Sequence, residues 1–291
     1  MKTKYKGVLY IINSALFFSL MNTFVRLSGE LPSIQKSFFR NFIAMIFAFI
    51  LLLKSKDSFK WKDGNLKYLL LRAGFGTIGV LCNFYAVDHL VLSDASMLNK
   101  MSPFFAIVFS YLILKEKANF VQWGSVIVAF LGSLLIIKPT LSNMDLIPSL
   151  IGLTGGLCAG IAYTMVRVLG QHGENKGYIV FFFSAFSCLV TLPYLIFNFT
   201  PMSISQVIYL LLAGTCACIA QFSITTAYCY APAKEVSIYD YSQIVFSAIV
   251  GYAIFNQVPD FLSILGYVVI CCVALLMFIY NNKVKDKESA S

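Results

Sequence analysis

The segment LSDASMLNKMSPFF at residues 92–105 is answered 141 positions later by AKEVSIYDYSQIVF at residues 233–246. Under that shift Asp94 falls on Glu235, Ser96 on Ser237 and Phe105 on Phe246. Working outward, Val25-Arg26 falls on Val166-Arg167, Ala86 on Ala227 and Tyr111 on Tyr252, and Trp123-Gly124 meets Leu265-Gly266 after a slip of one residue. Each match alone is weak. Their common register identifies an internal repeat that spans the chain.

The composition says what is being repeated. Of 291 residues, 59% are hydrophobic and 12% charged, whereas a soluble domain carries about 25% charge. Ten helical spans of about 20 residues, matched to a hydrocarbon core about 30 Å thick, would occupy most of such a chain. Apolar runs predict spans at 7–27, 34–53, 66–86, 94–114 and 120–137, then at 148–168, 178–197, 206–229, 235–255 and 261–280. Pro32, Pro139, Pro148, Pro201, Pro232 and Pro259 mark connections, and Pro103 and Pro193 fall inside spans, where kinks are expected. Each repeat holds five spans. An odd number inverts the second copy in the membrane, the architecture of secondary transporters with a midplane site between the halves. The expected fold is an all-α integral membrane protein of ten transmembrane helices in two inverted repeats, residues 1–141 and 142–291, the second ending in a short cytoplasmic tail.

The formal charge of +9 raises the question of a nucleic-acid partner, which the placement of the cations answers. With the N-terminus inside, sixteen of the 22 Lys and Arg fall in inner segments, and only Lys36 and Lys138 in outer loops. Arg26, Arg40, Arg72 and Lys100 lie within spans or at their edges. The excess therefore reads as the positive-inside signal of a multi-pass cell-membrane protein with both termini cytoplasmic, and no nucleic-acid partner is expected. The N-terminal basic residues and following apolar stretch imitate a signal peptide, but the stretch is long and lacks a small-residue cleavage site, so it reads as the first span. Eight cysteines fall in apolar runs without CxxC or histidine spacing, and read as packing residues with no metal or other cofactor.

The ten spans, the five-plus-five repeat, the run from Leu92 through Pro103 to Leu114-Lys115-Glu116, and the closing Ala253-Ile254-Phe255-Asn256-Gln257-Val258-Pro259-Asp260 resemble the EamA-type family of the drug/metabolite transporter superfamily. The resemblance covers essentially the whole chain. It implies a transporter, with substrates that in the superfamily range over amino acids, nucleotide sugars, S-adenosylmethionine, organic acids and cationic drugs. One departure is visible: the acid that ends the fourth span is Glu116, but its repeat mate is Gln257.

Ionisable groups within spans each cost at least about 2.5 kcal/mol at the bilayer centre and mark function or pairing. Arg40, Lys100 and Asp240 are the candidates here. The repeat lays Asn99 on Asp240 and Lys100 on Tyr241, which brings the two charges to similar depth on opposite sides of one cavity. Helical spacing puts Asp240, Gln243, Ser247 and Gly251 on one stripe, and Ser96, Asn99, Lys100, Pro103 and Ser110 on another. Asn83 and Gln221 add amides from the third and eighth spans, and Tyr85 and Tyr239 add hydroxyl-bearing rings. The expected substrate-binding set is thus Arg40, Asn83, Tyr85, Asn99, Lys100, Gln221, Tyr239, Asp240 and Gln243.

Plainer roles stand beside these. Lys100 and Asp240 would also serve as a structural ion pair, and Arg40 would also snorkel to headgroups. Asp94 and Glu235 suit helix N-termini, the glycines at 152, 156 and 160 suit close helix packing, and His89 and His172 suit loop surfaces. The expected function is a secondary carrier of a small anionic or zwitterionic metabolite by alternating access, with Asp240 as binder of an amine or of a coupling proton, acting as a monomer or homodimer. Export of cationic drugs or amines is the alternative. A membrane-embedded enzyme is disfavoured by the lack of HExxH and GxSxG motifs, and a channel by the lack of a selectivity filter.

Overall fold

A computed structural model describes residues 3–54, 61–90, 98–137, 146–256 and 258–288. Among them, every regular element is helical. The first half contains α1 (Thr3–Leu27), α2 (Ser33–Lys54), α3 (Leu66–His89), α4 (Ser102–Leu114) and α5 (Phe120–Ile137). The second contains α6 (Leu146–Gln171), α7 (Lys176–Phe197), α8 (Ile204–Tyr230), a broken α9 and α10 (Phe261–Glu288). The pieces of α9 are Ala233–Val236, a 3₁₀ stretch Ser237–Tyr241 and Ser242–Phe255. Eight of these helices are long and apolar enough to cross a bilayer, α9 counted whole, and α4 and α5 are shorter apolar helices. Phe261, Leu189 and Ile204 are exposed on their outer faces, as a chain solvated by lipid requires.

The helix starts follow local chemistry. Asn175 caps α7 by accepting from the amides of Gly177 and Tyr178. Ser203 and Gln206 form a reciprocal capping box on α8, which satisfies amides that the first turn leaves without partners.

The fourth and ninth spans depart from the continuous helices expected at 94–114 and 235–255. Leu98 and Asn99 are helical, Lys100–Met101 form a turn and α4 starts only at Ser102, while residues 94–97 lie outside the described set, as do Pro139 and Gln257. Pro103 sits in the first turn of α4 and produces no kink, because an N–H is surplus there. Hydropathy reports which residues are apolar, not their dihedrals, so both breaks were hidden from it. The two helices also end alike. Lys115 at φ 56° and Asn256 at φ 52° are the non-glycine residues with positive φ among those described, and they are repeat mates.

Helix packing repeats the pattern. α1 lies against α8 as α6 lies against α3, and α9 lies against α1 as α4 lies against α6. α2 pairs with α7 and α5 with α10. Exchanging each helix with the one five places later maps these contacts onto themselves, the signature of two inverted repeats about a pseudo-two-fold axis. The glycines of α6 pack as their spacing predicts. A Cβ on Gly156 would stand 2.5 Å from the carbonyl oxygen of Leu98, and one on Gly160 would stand 2.5 Å from Cβ of Phe105. The small-residue face of α6 therefore seats the break in the fourth span.

Candidate functional site

Both helix breaks open onto one cavity of about 630 Å³ inside the bundle, walled by α1, α2, α3, α6, α8 and α9. Lys100, in the turn before α4, donates to Oε1 of Gln243 at 2.7 Å and to Oδ2 of Asp240 at 3.3 Å. The two breaks are further laced through backbone: the Tyr241 hydroxyl donates to the carbonyl of Lys100 at 3.0 Å, and the Lys100 ammonium reaches the carbonyl of Asp240 at 3.5 Å. Lys100 and Tyr241 are repeat mates, so each half satisfies a carbonyl that helix interruption leaves open in the other. Asn99 donates to Asn83 at 2.7 Å, tying the same turn to α3. Ser19 and Ser247 lie 3.0 Å apart and join α1 to α9 on the wall.

Two guanidiniums complete the polar lining. Arg40 on α2 is 8% exposed and lies over the Phe18 ring at 5.9 Å. Arg72 on α3 is 3% exposed and lies over Phe183 at 4.1 Å. The Nε of each is buried and has no hydrogen-bond partner among the described residues. Facing them, Asp240 is the single carboxylate on the cavity wall among the described residues. Arg40 thus lines the interior and does not snorkel.

The cavity is closed at one end and reaches the other. Gly7, near the start of α1, packs on Ala231 and Val236, and Gly170 packs on Cys229, so the start of α1, the start of α9 and the end of α6 share one end of the bundle. There Tyr163 and Tyr228 stack at 5.0 Å with 9° between planes, forming a floor. Below it Glu116 accepts from Arg167 at 3.1 Å and from Gln171 at 3.2 Å, and Ser110 donates to it at 2.7 Å. At the opposite end the lining includes Arg26, Lys36 and Phe255. Arg26, the repeat mate of Arg167, lies over the Phe255 ring at 4.6 Å. Its counterpart of Glu116 would be Gln257, which lies outside the described residues.

Of the nine residues expected at the site, Arg40, Asn83, Asn99, Lys100, Gln221, Asp240 and Gln243 line this one cavity. Tyr85 does not; it is partly exposed and stacks on His89 at 4.0 Å. Tyr239 also lies off the wall, buried in the core with its hydroxyl unpartnered among the described residues. Among the lining residues outside that set, two bear on the site's chemistry, Arg72 and Tyr163. Arg72 stands about two turns into α3, much as Arg40 stands in α2, and that depth was the available signal. Tyr163 is one of 16 tyrosines and carries no distinguishing mark in the sequence.

The chain is similar to known transporters over nearly its whole length. The chain is 32% identical over 273 residues to the pseudopaline exporter CntI of Pseudomonas aeruginosa, a match that covers 92% of this chain and 95% of the relative. It is 24% identical to the riboflavin transporter of Vibrio cholerae over 97% of this chain and 96% of that one. It is also 24% identical to the S-adenosylmethionine uptake transporter of Rickettsia prowazekii, covering 97% and 95%. One solved crystal structure superposes with a TM-score of 0.83, covering 96% of this chain and 98% of that chain at 12% identity, a likeness of fold alone. The model of the EamA-like transporter family matches residues 5–138 and again 146–279. With both repeats matched and the cavity lying between them, this chain is a transporter and belongs to the EamA-like transporter family.

Proposed function

We propose that the chain is an alternating-access carrier for a small anionic or zwitterionic metabolite, bound in the cavity between the two repeats. The observation that carries this reading is the charge of the wall: Arg40, Arg72 and Lys100 are buried there against Asp240 alone among the described residues. Uncompensated cations in a low-dielectric interior call for an anionic guest. A purely cationic drug would meet three cations and a carboxylate already held by Lys100. The names of the relatives supply small organic solutes of several kinds, and include both export and uptake, so direction follows from gradients.

In this reading, Asp240 has two states. Ionised, it holds Lys100; protonated, it releases the ammonium to a substrate carboxylate. That exchange couples a proton to transport. The halves 1–141 and 142–291 rock about the laced breaks, and with both termini in the cytoplasm of a cell-membrane protein the observed mouth faces outward. The test is counterflow in proteoliposomes preloaded with amino acids, dicarboxylates or quaternary amines, measured across pH. Saturable counterflow of an anionic or zwitterionic solute, abolished in Lys100→Gln and insensitive to pH in Asp240→Asn, is the expected result. Counterflow restricted to quaternary amines and unchanged in Lys100→Gln would overturn the reading.

A further inference from the structure

Arg40 and Arg72 are not explained by a single zwitterion held at Lys100 and Asp240. Both side chains are more than nine-tenths buried, both line the cavity, and each leaves its Nε without an acceptor among the described residues. Neither forms an ion pair among the described residues, and their neighbours are aromatic faces, Phe18 for one and Phe183 for the other. Such faces stabilise a guanidinium from above, and they leave its in-plane N–H groups free for a carboxylate. Both guanidiniums belong to the wall of the same cavity, where an anionic guest would offset the cost of burying two cations. Gly76 leaves the room that the Arg72 guanidinium occupies, because a Cβ there would collide with it.

The repeat sharpens the point. The positions 141 residues after Arg40 and Arg72 are Phe181 and Ala213, so the pair has no counterpart in the second half and is not part of the symmetric scaffold. The wall carries Arg26, Lys36, Arg40, Arg72 and Lys100 against one carboxylate among the described residues, an excess of positive charge that draws in anions of more than one charge.

Resting on the carrier reading above, we propose that Arg40 and Arg72 form a two-fork anion subsite that selects metabolites bearing at least two carboxylates. One carboxylate is received by each guanidinium, each over its own ring. An amine or third polar group of the same ligand reaches Asp240, Lys100 and Gln243. The two forks rise from different helices and lie over different rings, an arrangement for two separate planar acceptors rather than for one compact tetrahedral anion.

The experiment is ligand-induced thermal stabilisation of the purified full chain at constant ionic strength, with glutarate, L-glutamate, butyrate, L-alanine and glycerol 3-phosphate as probes. Glutarate and L-glutamate are expected to bind at least about tenfold more tightly than butyrate, the worth of one charge-assisted hydrogen-bonded pair. Arg40→Gln and Arg72→Gln are each expected to erase that tenfold preference. Where a glutamine variant does not purify as a single species, Arg40→Lys and Arg72→Lys take its place, and each is expected to reduce the preference by keeping the charge while losing the fork. Equal affinity for glutarate and butyrate, a preference unchanged by the substitutions, or stabilisation by glycerol 3-phosphate in place of glutarate would each sink the two-carboxylate subsite. Should L-alanine then still protect in a Lys100-dependent manner, the carrier reading survives alone. Protection by none of the five probes overturns both.

Discussion

Desolvating an ammonium and a carboxylate costs several kcal/mol each, so the pairing of Lys100 with Asp240 within the bundle is conditional on both members being present. Their side chains are 9% and 8% exposed, and Gln243 takes a further proton of the ammonium. Removing one member strands the other. Lys100→Met and Asp240→Leu are each expected to destabilise the protein by about 3–5 kcal/mol, and the double variant to recover most of that loss. Thermal unfolding of the four proteins, compared as a cycle, measures it; additive losses would show that the two groups do not depend on each other. At this scale the sequence was informative. A charge in an apolar run is conspicuous, and the repeat register alone placed the two at equivalent depths. It could not rank Tyr85 or Tyr239 against Tyr163, because a tyrosine is equally at home on a lipid face, in a core or on a cavity wall.

Helices α4 and α9 are shaped by neighbours as much as by their own residues. The turn at Lys100–Met101 is accommodated because Gly152 and Gly156 of α6 leave room for Leu98 and Met101 beside it, and Gly160 for Phe105 just beyond it. Gly156→Ala is expected to destabilise by about 1–3 kcal/mol through overpacking against the Leu98 carbonyl, whereas Gly74→Ala, with open space at its Cβ position, should be neutral or slightly stabilising. Thermal stability of the two variants decides it, and equal effects would remove the packing argument. The ends of these helices are asymmetric in chemistry. Glu116 ties α4 to Arg167 and Gln171 on α6, while the mate of Arg167 rests on an aromatic ring. Loss of a partly buried pair of this kind is worth about 1 kcal/mol, or about fivefold in the population of an open state. In a cysteine-free background carrying Ala162→Cys on the cavity wall, Glu116→Gln is therefore expected to accelerate thiol labelling about fivefold from the side of the termini. Unchanged labelling would mean that the floor, not the ion pair, closes that end. The continuity of a hydrophobic run concealed both breaks, since a 3₁₀ turn and an α-helix use the same apolar residues.

At the scale of the whole molecule, the alternating access proposed above requires the two halves to change their mutual packing, with contacts across the cavity wall opening and closing. Ser19 on α1 and Ser247 on α9 place their hydroxyls 3.0 Å apart. In the same cysteine-free background, Ser19→Cys with Ser247→Cys is expected to form a disulfide on oxidation, to abolish counterflow, and to regain it on reduction. Full counterflow in the oxidised protein would show that α1 and α9 move as one body. The apolar exterior fits this picture. Lipid solvates it without penalty in any state, so the energy that selects among states resides in the few polar contacts inside.

The linear order of residues determined the membrane environment, the run of apolar segments and the inverted repeat, because hydropathy and register are properties of the chain itself. It also determined which charges lay in apolar runs, and so most of the charges on the cavity wall. The tertiary structure decided where two helices break, how the breaks lace together through Lys100 and Tyr241, and that Arg72 joins Arg40. Those outcomes depend on backbone dihedrals and on surfaces contributed by distant helices. Distances between such helices arise only when the two repeats close around each other, and no local pattern encodes them.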